Sequence, residues 1–314
     1  MSTPGTSPVA VGVDIGGTKI AAAIVTADGQ ASHWLQTRTP DQDGPATIAA
    51  AADLIAKVIA DHEGPAPAVV GAAVAALTDS SGQLVYHSPN VGRWRDSPVA
   101  ADLSAATGLP VYVENDANAA AWGEVSVGSV PDVRNLLVVT VGTGIGGGLI
   151  VDGELYRGDS GTAAEIGHLT MEWNGRPCTC GLRGCWEQYA SGTALGATAR
   201  ALGGDALDAY GGAVILAAQA GEQFALDAFA DCGAWLGRGL ASLSSVLDPG
   251  AFIIGGGVAA AGDLFLAPAQ AAFDASMLAA GYRPRPFIGV GVLGNEAGVV
   301  GAALLALHRI EVEG

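Results

Sequence analysis

The chain has 314 residues, half of them apolar and 14% charged, enough for a sizeable core and for two compact domains. Its formal net charge of −17 argues against nucleic acid or an anionic membrane as partner, since both need basic patches. A phosphate ligand is still allowed, because backbone N–H groups and Mg²⁺ hold phosphate without a basic surface.

The N-terminus, MSTPGTSPVA, has no basic flank or apolar core, so no export signal is expected, and no long apolar run free of breaks suggests a membrane span. A cytoplasmic protein is the expectation. Residues Val9–Asp14 read as a strand ending in the turn IGGTK; IAAAIV follows as a second strand, then Asp28-Gly29 and a third strand, ASHWLQT. Ile48, Ala52, Ile55 and Ile59 have helical spacing over 46–60, and 69–77 reads as a buried strand. A helix over 96–107 is expected, with Asp96 or Ser97 as cap and Pro98 in its first turn; Val111–Val113 is a short strand leading into Glu114-Asn115-Asp116 and an Ala-rich helix.

The opening pattern then recurs. NLLVVTV, GTGIGGG, LIV, Asp152-Gly153 and ELYRG repeat the order strand, Gly-rich turn, strand, Asp-Gly turn, strand. Two α/β domains of similar topology facing one cleft are expected. Helices over 193–202 and 222–247, the strand AFIIGGG, a further helix, the strand FIGVGVL and a last helix over 296–308 complete the chain.

Gly142, Gly144 and Gly147 fit G-x-G-x-x-G, but a hairpin follows instead of the helix that a dinucleotide fold requires, and no Walker loop is present. Two Gly-rich hairpin turns, Gly16-Gly17-Thr18-Lys19 and Gly142-Thr143-Gly144, suit the two ends of a triphosphate, with Thr hydroxyls and backbone N–H groups donating. Asp14 would hold Mg²⁺ directly or through water, and Gly255-Gly256-Gly257 would floor a nucleotide base. The bland alternative at each loop is a tight turn that happens to need glycine.

Cys178, Cys180 and Cys185 lie within eight residues, and His168 is the nearest fourth ligand. A Cys₃His set suits structural zinc, whereas a catalytic zinc would keep an open position. Cys232, alone among Ala and Trp, reads as core. Asp116, after a strand and before a helix, is either a general base for a hydroxyl or a helix N-cap. Asn115 would orient a neighbouring hydroxyl. Glu165 and Glu187 flank the cysteines and are either acceptors for sugar hydroxyls or solvated charge.

DIGGTK at 14–19, ENDANAAA at 114–121, GTGIGGG at 142–148, AEIGH at 164–168, CTCGLRGCWEQYASG at 178–192 and IIGGG at 253–257 resemble, in order, the ROK family of repressors and sugar kinases, above all its zinc-containing glucokinases. The resemblance implies a two-domain actin-like, ribonuclease-H-like α/β fold with an interdomain cleft. Its small domain would span 1–116, with 299–314 packed back on it, and its large domain 117–298. It implies ATP-dependent phosphorylation of a hexose, glucose first, with Asp116 as base. Asn90, Asn115, Glu165, His168 and Glu187 would bind the sugar, His168 sharing its ring between sugar and zinc, in a homodimer or homotetramer. Two departures stand out: Ala75-Ala76 replaces a usual Pro-Gly pair, and Ala164 replaces the usual Gly before Glu165. Kinases for N-acetylmannosamine, N-acetylglucosamine, fructose, mannose or allose, polyphosphate as donor, and a non-catalytic sugar sensor are the alternatives. A repressor is not expected, because only thirteen residues precede Asp14.

Overall fold

Apolar residues on both faces of the first segment make it a buried central strand, β1 (Val9–Ile15), and the Gly-rich turn folds β2 (Lys19–Thr26) back on it. The computed structural model describes residues 8–41, 43–88, 91–130, 132–204 and 211–313, so Asn90 lies outside the described residues. After β3 (Ala31–Arg38), α1 (Gly44–Ala60) is capped by Asp43, whose side chain accepts from Ala46 N. Its buried stripe is Thr47, Ala51, Leu54, Ile55 and Val58, about one residue out of step with the expected Ile48–Ile59 face. The apolar run from Val69 breaks at Ala75-Ala76 into β4 (Val69–Val74) and β5 (Leu77–Thr78). β5 pairs with β6 (Val85–His87) and β6 with β7 (Arg95–Ser97) in a small separate sheet.

The expected cap of the next helix is corrected. Asp96 and Ser97 belong to β7, and α2 (Val99–Thr107) has Pro98 at its N-cap with no side-chain cap bond. β8 (Val111–Asn115) then runs into α3 (Asp116–Ser126). β9 (Leu136–Val141), β10 (Ile145–Val151) and β11 (Glu154–Tyr156) repeat the opening hairpins. α4 (Glu187–Ala190), α5 (Gly192–Ala201), α6 (Gly211–Gln219) and α7 (Gln223–Leu247) follow the cysteine loop. β12 (Ala251–Gly255), α8 (Asp263–Ser276), β13 (Phe287–Val290) and α9 (Ala297–Glu313) end the described chain.

The two large sheets have the orders β3-β2-β1-β4-β8 and β11-β10-β9-β12-β13. They are one pattern used twice: the first strand of each set pairs antiparallel with the second and parallel with the fourth. Contacts divide the chain into two units, Met1–Pro131 with Leu155–Ala163 and Glu296–Gly314, and Asp132–Glu154 with Ala164–Asn295. Those limits differ from the expected boundary after 116, because α3 packs on α9 and stays with the first unit. Each unit has its own core, one around Ile15, Ile20, Ile55 and Leu103, the other around Trp186, Phe229, Phe252 and Phe265. Cys232 belongs to the second core, and burial pushes its thiol up to about 12. Among the described residues no helix is long and apolar enough to cross a membrane.

Candidate active site

In the first unit, β1 delivers Asp14 to the start of the Gly-rich turn. Burial raises its carboxyl above the ordinary carboxylate range, and the Lys19 ammonium opposes the shift. Gly298, in the first turn of α9, lies so close that an added Cβ would stand 3.2 Å from Asp14 Cγ. Gly16 N donates to Lys19 O at 3.0 Å to close the turn, while Gly17, Thr18 and Lys19 are exposed. Thr39, which the motif reading passed over, fastens this turn from outside: Oγ1 donates to Gly16 O at 2.6 Å and its N–H to Thr18 O at 3.1 Å.

At the end of β8 the Asp116 carboxylate accepts from Ala117 N at 2.9 Å, but it is not the cap. Asn115, one residue earlier, is the cap of α3, its Oδ1 accepting from Ala117 N at 2.9 Å and Asn118 N at 3.1 Å. Its Nδ2 donates to Ala76 O at 3.1 Å, so the Ala75-Ala76 bend sits directly against Asn115. Asp116 is the first helical residue and half-buried, where the helix dipole favours its charge.

In the second unit four ligand atoms converge. One from each of His168, Cys178, Cys180 and Cys185 lies within 4.8 Å of the others. Cys178 Sγ is 3.7 Å from His168 Nδ1, and Cys180 Sγ is 3.6 Å from Cys185 Sγ. Tetrahedral zinc with ~2.3 Å Zn–S bonds places its sulfurs roughly 3.8 Å apart, so the set fits that ion. The loop closes on itself through Cys178 N to Leu182 O at 2.9 Å, with Gly181 and Gly184 at φ +91° and +75°. Burial opposes ionisation of Cys178, but hydrogen bonds from Cys180, Cys185 and His168 outweigh it and bring the thiol to about 7. Burial and the neighbouring thiols push Cys185 up to about 12. Protein groups alone therefore do not ionise all three sulfurs, whereas a divalent cation would.

Glu165 precedes the short 3₁₀ turn carrying His168, and Glu187 begins α4 two residues after Cys185. Glu165 as a residue is exposed, yet the protein around its carboxyl raises it above the ordinary range; Glu187 adds to the rise and His168 opposes it, so the three side chains share one field. Glu187 also reaches the second Gly-rich turn, its Oε2 accepting from Ile145 N at 3.1 Å. Gly144 leaves no room for a Cβ because the Glu187 carboxylate occupies that space. Gly142 closes the turn by donating to Gly144 O at 3.0 Å, and two further bonds hold it: Gly192 N to Gly142 O at 2.8 Å and Thr193 Oγ1 to Thr143 O at 2.7 Å.

The third glycine cluster divides. Gly256 has φ +82° and Val141 backbone where a Cβ would stand, so local structure accounts for it. Gly142 and Gly257 have ordinary φ and open space there, so nothing in the chain itself demands glycine at either.

Two α/β units of one strand order, each with a glycine-rich hairpin turn after its first strand, define an actin-like kinase fold. The chain belongs to the ROK family, whose sequence profile matches residues 10–309. It is 42% identical to a glucokinase of Streptomyces coelicolor over 94% of this chain and 96% of that one. It is 34% identical to an N-acetylmannosamine kinase of Shigella boydii over 94% of this chain and 97% of the other. Its fold superposes with a TM-score of 0.88 and 38% identity on a ROK glucokinase from Streptomyces griseus in complex with glucose and AMPPNP, covering 96% of this chain and 99% of that one.

Proposed function

We propose that this protein is an ATP-dependent hexose kinase that converts glucose to glucose 6-phosphate. The observation that carries the reading is Glu187: one carboxylate accepts from Ile145 N, the residue after the Gly142–Gly144 turn, lies against Gly144, and shares its surroundings with Glu165 and His168. A turn suited to phosphate thus adjoins acceptors suited to sugar hydroxyls. The Streptomyces relatives support ATP and glucose as the pair.

In this mechanism Glu165, His168 and Glu187 orient the hydroxyls, with Asn115 and Asn90 as further sugar contacts. Asp116 takes the 6-hydroxyl proton as that oxygen attacks the terminal phosphorus. The turns Gly16–Lys19 and Gly142–Gly144 would hold the phosphates by their N–H groups, Asp14 would hold Mg²⁺, which neutralises charge on the phosphates, and Gly255–Gly257 would lie under the base. Cys178, Cys180, Cys185 and Nδ1 of His168 would hold zinc, which supplies a fixed scaffold rather than a reacting centre. Nε2 of His168 is then the nitrogen that meets the sugar. The reading includes a cytoplasmic homodimer or homotetramer.

The N-acetylmannosamine kinase relative and the Ala75-Ala76 bend against Asn115 favour one rival, a ROK kinase for another sugar. Glucose, mannose, fructose, allose, N-acetylglucosamine and N-acetylmannosamine, each offered with ATP or polyphosphate and read by coupled ADP and sugar-phosphate assays, decide between them. The highest kcat/KM is expected for glucose with ATP. A higher value for another sugar replaces the substrate, and turnover of none favours a sugar sensor.

A further inference from the structure

We propose that Thr39 and Thr193 are positioning residues for the two phosphate turns, each drawing a turn carbonyl back into its own unit so that the turn offers N–H groups to the nucleotide. The inference rests on the kinase reading above.

Neither threonine lies in a motif, and neither is near its turn in sequence. Thr39 follows the edge strand β3 and is 3% exposed; its hydroxyl takes Gly16 O and its N–H takes Thr18 O. Thr193 is the second residue of α5, fifty positions from the carbonyl it binds, Thr143 O; its neighbour Gly192 donates to Gly142 O. Gly192 is itself constrained, since a Cβ there would stand 2.7 Å from Gly142 O and 3.2 Å from Val258 Cγ2. Two unrelated scaffolds, a sheet edge and a helix start, thus use the same device.

The electrostatic reason is direct. A carbonyl oxygen carries partial negative charge and repels an anion, whereas a run of N–H groups attracts one. In the first turn the carbonyls of Gly16, Thr18 and Lys19 are taken up by protein donors, and in the second those of Gly142, Thr143 and Gly144. The N–H groups of Gly17, Thr18, Thr143 and Gly144 meet no acceptor among the described residues. The turns therefore have their negative ends satisfied internally and their positive ends left for a ligand. Without the threonine hydroxyl a carbonyl would be released to rotate toward the phosphates.

The test uses the full-length protein and AMPPNP with Mg²⁺, titrated calorimetrically in the absence of sugar, alongside steady-state kinetics. Thr193→Val removes the hydroxyl at an exposed position and keeps the shape. Its nucleotide Kd and KM are expected to rise about three- to tenfold, the effect of one lost hydrogen bond. Glucose KM stays as in the wild type, and Thr193→Ser restores nucleotide affinity. Thr39→Val should act in the same direction; its buried site also lowers stability, so the decisive arm is Thr193. Wild-type affinity for AMPPNP in Thr193→Val overturns the inference, as does failure of serine to restore it or a glucose KM that rises in step. A wild-type protein that binds no AMPPNP overturns the kinase reading and this inference together.

Discussion

Arg157 donates its Nε to the Glu114 carboxylate at 2.7 Å, and Glu114 also accepts Asn118 Nδ2 at 3.0 Å and Asn115 N at 3.2 Å. The pair is largely buried, with side-chain exposures of 19% and 7%, and it ties the segment Leu155–Ala163 to the strand that presents Asp116. Removing one partner of such a pair strands a buried charge. Arg157→Leu should cost about 3 kcal/mol, the low end for a broken buried pair, and reduce kcat as β8 relaxes. Urea denaturation checks it, and an unchanged midpoint would show that Glu114 does not depend on Arg157.

Asp116→Asn should leave the fold intact, since the cap of α3 is Asn115. Its kcat should fall at least ~10²-fold, the low end for loss of a general base, with glucose KM little changed. Near-normal turnover in that variant removes Asp116 as base.

Purified protein should contain one zinc per chain. Stripping it with a strong chelator should lower Tm by at least about 5 °C, which at 2–4 °C per kcal/mol is on the order of 2 kcal/mol. Cys180→Ser should lose both the metal and the chelator response. Elemental analysis that finds no stoichiometric metal discards the staple.

Asp14 makes stability depend on pH with a definite sign. Burial raises its folded-state value above the ordinary 3.8, so folding favours the protonated form. Its stabilising contribution is complete below 3.8 and is lost as pH rises through the raised folded value. Asp14→Asn should therefore be more stable than the wild type at neutral pH, although inactive with MgATP, and the gap should close as the pH approaches 3.8. Denaturation midpoints measured across that range decide the matter; parallel curves contradict the buried carboxylate.

Ala164, immediately before Glu165, has φ +65°, a left-handed backbone that costs an L-residue with a Cβ about 1–2 kcal/mol. Ala164→Gly should recover that strain less the glycine's ~0.4–1 kcal/mol of chain entropy, a net gain of about 0.5–1 kcal/mol. Ala164→Val should lose stability instead. Thermal melts of the two variants should move in opposite directions.

Much of this was legible in the sequence for a local reason. Strand, glycine turn and strand are contiguous, so the doubled hairpins that set both sheets show as pattern, and three cysteines within eight residues announce a loop that folds on itself. Competition between adjacent residues was not legible. Asn115 or Asp116 serves equally as a cap on propensity, and only the backbone turn at 115 chooses; Asp96 looked like a cap and proved to be strand. The buried face of α1 shifted because Thr47 and Val58 are fully buried, whereas Ile48 and Ile59 pack against the core only partly buried. Thr39, Thr193 and Arg157 carry no signal at all, since their partners lie 23, 50 and 43 residues away.

The last helix has a consequence for how the molecule is made. α9 lies against β1 and β4 so closely that a Cβ on Gly12 or Gly71 would strike its backbone at Val299 or Ala302. One face of the first sheet thus waits for α9 to be made, while β9, β10, β12 and β13 of the second sheet all precede that helix. Synthesis from the N-terminus therefore lets α1 and α2 cover one face of the opening sheet early and leaves the other face uncovered until α9 emerges. Loss of a few C-terminal turns would be felt at the protein's beginning, where Asp14 stands.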